Sequence, residues 1–233
     1  MQETPRNLLE RAIPALDRTA AEKRATELTE ADLQVALAQL GGTAAVPLTL
    51  KHWPATGPVD LVFEDGIGVE LQWCISGDSL AGCAWDIAKL ACAIAERKLS
   101  DGWIIAAAPT WHWQTRRPGV ELFREHAYLG EELVEDYEDW WRLWCNEVMS
   151  RPTHMPRAFA LLDAGELADV RIGRVPFTFR FARVAVRAGT WVPHVCPHHW
   201  RDRLCLPRPW DPDGTGEIVA SRESERLLAH WSS

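Results

Sequence analysis

Residues 59–73 read VDLVFEDGIGVELQW, and this stretch decides how the chain is read. Apolar, β-branched and aromatic side chains alternate on both sides of Asp65-Gly66, so 59–65 and 68–74 read as the two strands of a hairpin. A Glu64-Asp65-Gly66 loop, with Gly66 in the left-handed position, pairs Phe63 with Ile67. The same register sets Asp60 opposite Glu70. Opposed residues stand about 4.5–5.5 Å apart at Cβ, where like charges destabilise the pair. With Val59, Leu61, Val69, Leu71 and Trp73 on the other face, two carboxylates held together here call for an offsetting charge. A divalent cation with oxygen ligands supplies one. Gln72 shares the acids' face and is placed to hold a water or a phosphate oxygen beside the ion. The competing reading is a plain hairpin with a polar outer face: a two-residue turn would slip the register and part the two acids.

The flanking sequence supplies context. Residues 6–17 and 29–40 carry helical periodicity. Thr29 is a good N-cap with Asp32 three positions on, Leu33, Ala36, Leu37 and Leu40 form an apolar stripe, and Gly41-Gly42 close the helix. Residues 45–53 read as a strand, with Pro47 favouring an edge or a strand start. After a loop from Gly77 to Gly82, residues 83–98 form a helix with Ile87, Leu90, Ala91 and Ile94 on one side and Ala88, Cys92 and Ala95 beside them. Helical geometry puts Lys89 on the polar face, paired with Asp86 at i, i+3. GWIIAA at 102–107 is apolar throughout, as in a strand buried on both faces. A helix between two strands makes a crossover, so this strand runs parallel to that of Glu70.

The order is therefore helix, three strands, helix, strand: an α/β fold with a mixed central sheet and flanking helices. Over residues 29–108 the chain resembles the PD-(D/E)XK nuclease-like superfamily, whose second core strand carries an aspartate and whose third carries (D/E)-x-K. Asp60 matches the aspartate, Glu70 the acid, and Gln72 stands where lysine is usual. The resemblance implies a nuclease acting on DNA or RNA, with Mg²⁺ (or Mn²⁺) on Asp60, Glu70 and the Leu71 carbonyl. It implies a water-positioning role for Gln72. Some relatives recruit a lysine from the following helix, and here Lys89 is the nearby candidate. Others keep the fold without catalysis, which leaves a module that binds nucleic acid or a protein partner.

The rest of the chain bounds these expectations. At 233 residues and 47% hydrophobic content, the chain is long enough for one large domain. Residues 1–28 read as a helical extension and 109–233 as an α+β elaboration packed on the core, with helix at 118–149, strands and loops at 157–217 and a last helix at 221–231. No apolar run of about 18 residues is present, and charges interrupt the start of the chain, so a cytoplasmic protein away from membranes is expected. Cys74, Cys83 and Cys92 lie in apolar surroundings as small hydrophobes.

The net charge is −8, yet residues 171–208 hold eight arginines and one acid, Asp202. That stretch is suited either to a phosphate backbone or to balancing the acidic part of the same chain. His194, Cys196 and His198 alternate as zinc ligands could, but Pro193 and Pro197 break the strand and no CxxC accompanies them, which argues against zinc. No glycine-rich phosphate loop or G-x-S-x-G is present, so nucleotide hydrolysis and serine-esterase chemistry have no support.

Overall fold

The computed structural model describes residues 4–54, 56–74, 82–115, 123, 125–129, 152–187, 189, 191–193 and 229. The helices are α1 (Pro5–Glu22), α2 (Glu30–Ala38), α3 (Gly82–Ala95) and the short α4 (Thr110–Thr115). The strands are β1 (Thr43–Pro47), β2 (Pro58–Val62), β3 (Ile67–Trp73), β4 (Asp101–Pro109), β5 (His126–Leu129), β6 (His154–Pro156), β7 (Ala158–Ile172), β8 (Val175–Val186) and β9 (Trp191–Pro193). Seven strands form one mixed sheet in the order β1-β2-β3-β4-β8-β7-β5, and β6 and β9 make a separate ribbon. The fold is α/β, as the patterning predicts.

The hairpin has the register read from its turn. Gly66 takes φ 79°, its N–H donates to Phe63 O at 2.8 Å, and Phe63 N–H donates to Ile67 O at 3.0 Å. Leu61 then faces Val69 and Val62 faces Gly68. From β3 the chain crosses through α3 into β4, which runs parallel to β3 with Gly68 beside Gly102. These two glycines let α3 sit close to the sheet. A Cβ on Gly102 would stand 3.1 Å from Ile94 Cδ1 and 3.2 Å from Leu90 Cδ2.

The sheet separates two apolar layers. Beneath α1 and α2 lie Leu61, Val69, Leu71, Trp73, Ile105, Ala107, Phe177, Phe179 and Phe181. Beneath α3 lie Cys74, Ile104, Ala106, Ala108, Phe159, Leu161, Ala182 and Val184. Val59, expected beside Leu61, packs instead in the α3 layer. The β-strand alternation is therefore broken at Asp60, between them.

Three segments differ from the sequence reading. The first strand ends at Pro47 instead of running from 45 to 53, because proline offers no N–H to continue the ladder. Leu50 and Trp53 reach the core from a loop. Within the segment read as helix at 118–149, His126–Leu129 is a strand that pairs antiparallel with Phe159 and its neighbours on β7, whose edge offers backbone partners that a helix would leave unpaired. The rest of 130–149 lies outside the described residues, as do 194–217 and the last helix apart from residue 229. Finally, β7 and β8 join the central sheet through β4–β8 pairing, so the elaboration continues the core sheet. Among the described residues, no helix is long and apolar enough to cross a membrane.

Candidate functional site

The described β2–β3 pairing runs through Leu61 and Val69, and beyond it the β2 side of β3 meets side chains instead of a neighbouring strand. The Leu71 N–H donates to Asp60 Oδ2 at 2.7 Å, and the Trp73 N–H donates to Glu30 Oε2 at 3.3 Å. Two successive donors on one edge of β3 are thus met by carboxylates, which avoids the cost of leaving buried N–H groups unpaired. Glu30 arrives from the first turn of α2, where a negative charge suits the helix N-terminus.

Asp60 is held from its backbone as well. β1 pairs with β2 at Ala44–Leu61 and Val46–Val59 but not at the intervening Ala45, which takes φ 51°. A left-handed alanine costs about 1–2 kcal/mol. The carbonyl of Asp60 accepts from Gln34 Nε2 on α2 at 2.7 Å.

Glu70 projects to the α3 side and is fully buried. Its Oε1 lies 2.8 Å from Lys89 Nζ in a buried ion pair. Lys89 Nζ also donates to Pro58 O at 3.0 Å and stands 3.8 Å from Asp86 Oδ1. This corrects the reading of Lys89 as a residue of a solvated helix face. The helix is buried from Ile87 to Ala93, and Lys89 is 6% exposed because the ends of β2 and β3 lie against it. The expected Asp86–Lys89 contact exists, but Glu70 is the nearer partner.

Glu30, Asp60, Glu70 and Asp86 thus gather around a single ammonium. Burial raises the Glu70 carboxyl well above its ordinary range, with Asp86 and Asp60 adding to the rise and Lys89 opposing it. Burial, opposed by Lys89 and reinforced by Asp60 and Glu30, lifts Asp86 to about 7. Glu30 rises through burial and its proximity to Asp60. Burial works against the charge of Lys89, but Glu70 and Asp86 outweigh it and raise its pKa. Burial is the largest cause at each of these acids, and the neighbouring carboxylates add to it.

The donor chemistry fits a hard divalent ion: carboxylate oxygens on Asp60 and Glu70, with the Leu71 carbonyl next to Glu70 in sequence. Among the described residues, however, no group of three His, Cys, Asp or Glu converges closely enough to hold an ion by itself. Gln72 is half-buried on the Glu70 face, and its backbone pairs with Ala106 of β4.

Sequence reasoning misses Glu30 and Gln34 because they lie 30 and 26 residues before Asp60 and reach it only through folding; their i, i+4 spacing on α2 is the available signal.

The other candidates lie elsewhere. His194, Cys196 and His198 fall outside the described residues. Within the arginine-rich stretch, Arg183 pairs with Asp163 at 2.7 Å and Arg180 with Glu166 at 3.3 Å, so two of its arginines balance acids of the same sheet. Arg171, Arg174 and Arg187 are exposed. Comparison of the chain with protein-family models, curated proteins and solved structures finds no match.

Proposed function

We propose that the protein is a metal-dependent phosphodiesterase of the PD-(D/E)XK type that acts on DNA or RNA. Asp60 and Glu70 would hold Mg²⁺ or Mn²⁺ with the Leu71 carbonyl, Gln72 would position water, and Lys89 would supply the positive charge that the strand motif lacks. The observation that carries this reading is the 2.8 Å approach of Lys89 Nζ to Glu70 Oε1. An ammonium from α3 stands beside the strand whose own lysine position is occupied by Gln72.

A bound divalent ion supplies a water of lowered pKa and neutralises charge on the scissile phosphate. The chain's own groups do the rest. Lys89, fixed by Pro58 O and its two acids, offers a preorganised cation to charge developing on phosphate oxygens. The Gln72 amide orients a water by hydrogen bonding without adding charge. The Leu71 N–H fixes Asp60 through Oδ2, and its other oxygen is the one available to a ligand. In the test, single- and double-stranded DNA and RNA are incubated with Mn²⁺. Cleavage by the wild type that is lost in Asp60→Asn and in Glu70→Gln supports the reading, and no cleavage of any substrate speaks against it.

A second reading has its own observation. The Lys89 ammonium is already committed to Glu70, Asp86 and the Pro58 carbonyl, as in a nuclease fold whose acid cluster has become a structural ion-pair network. Such a module would bind nucleic acid or a protein partner without cutting. Nucleic-acid binding would then survive Asp60→Asn, weaken steeply with salt, and fall when Arg171, Arg174 and Arg187 are replaced by alanine.

A further inference from the structure

We infer that Gln34 is a positioning residue that sets the Asp60 carboxylate for ion binding, an inference that rests on the metal-dependent reading above. Asp60 has lost its ordinary strand partner: the β1–β2 ladder skips Ala45, which takes a left-handed φ of 51°. The amide of Gln34 replaces that partner, donating through Nε2 to the Asp60 carbonyl at 2.7 Å. This bond fixes the peptide from which the carboxylate projects. The carboxylate is fixed in turn by the Leu71 N–H at 2.7 Å.

Four residues before Gln34, and so on the same face of α2, Glu30 meets the Trp73 N–H at 3.3 Å. One helix therefore ties down both strands of the fork, β2 through Gln34 and β3 through Glu30, with the proposed ligands Asp60 and Glu70 between them. A plain β ladder would hold Asp60 in the regular pleat, and the break in alternation at Val59 and Leu61, which pack in different layers, shows that the local backbone departs from it. Gln34 holds that departure in a single geometry. Its amide is neutral, so it orients Asp60 without competing for the ion or adding charge to an acidic cluster.

The test is calorimetric titration of the full chain with Mn²⁺, with thermal melting of each metal-free protein as the second readout. Wild type, Asp60→Asn, Gln34→Met and Gln34→Asn are compared, with Gln39→Met as a control at the exposed C-cap of α2. Methionine keeps the length of glutamine without the donor, and asparagine keeps the amide but falls short of the carbonyl. Loss of a partner that orients a ligand weakens metal affinity by about 10–100-fold. That weakening is expected in both Gln34 variants, with melting within a few degrees of wild type and Gln39→Met unchanged. Wild-type affinity in both Gln34 variants would overturn the positioning role while leaving the metal site standing. Affinity lost only together with cooperative melting would assign Gln34 a structural role instead. Absence of Mn²⁺ binding in the wild type would overturn the metal-dependent reading, and the positioning role with it.

Discussion

Lys89 and Glu70 form a buried ion pair, 2.8 Å between Nζ and Oε1, that joins α3 to the third strand of the sheet. Neither side chain is more than 7% exposed, so each charge depends on the other for solvation. Removing one partner of a buried pair leaves an uncompensated charge and costs about 3–5 kcal/mol. Lys89→Met is expected to lower stability by this amount in urea unfolding, and Glu70→Gln combined with Lys89→Met to recover much of it. A Lys89→Met protein as stable as wild type would show that the pair does not hold α3 in place.

Protonation of the cluster gives stability a direction with pH. The carboxyl of Asp86 rises from an ordinary 3.8 to about 7. The folded state therefore keeps a proton that the unfolded state gives up, so its contribution is complete below about 4 and is lost as pH rises towards 7. Glu70 and Glu30, also raised, act in the same sense. His52 acts in the opposite one: burial and the neighbouring His154 lower its pKa, so its contribution falls as pH drops below 6.5. Comparing wild type with Asp86→Asn isolates the acid term. The stability advantage of Asp86→Asn over wild type should grow as pH rises from about 5 to about 8, by at most about 1.4 kcal/mol per pH unit. A constant difference across that range would show that Asp86 titrates normally.

Close packing of α3 and of Leu99, which follows it, on the sheet rests on Gly68. A Cβ there would drive into Leu99 Cδ1 and meet Leu90 Cδ2 at 3.3 Å. Overpacking of this kind costs about 1–3 kcal/mol, so Gly68→Ala should lower the melting temperature by several degrees, and Leu99→Ala in the same chain should restore part of the loss. Unchanged melting would mean that the Leu99 and Leu90 side chains have room to move aside.

Some of this was legible in the sequence and some was not, for physical reasons. The hairpin register could be read because Asp65-Gly66 fixes the turn, and the side-chain period of two then fixes the faces from Leu61 to Trp73; the break in alternation at Asp60, which sends Val59 to the other layer, has no local signal. The burial of GWIIAA could be read from its lack of polar residues. Lys89 could not be placed by its helix alone: a wheel ranks the faces of an isolated helix, whereas the ends of β2 and β3 bury this lysine and provide Glu70 and Pro58 O as partners. Glu30 reads as an ordinary first-turn acid, and only the splay of β2 from β3 gives it the Trp73 N–H to meet. The strand at His126–Leu129 owes its form to the open edge of β7, a partner distant in sequence, against a local pattern that reads as helix.

Titration calorimetry of wild type and Asp60→Asn with Mn²⁺ decides whether Asp60 and Glu70 make a divalent-cation site. One ion per chain is expected, bound at about millimolar strength or tighter in the wild type and not at all in Asp60→Asn. Equal binding by both proteins, or none by either, would contradict it.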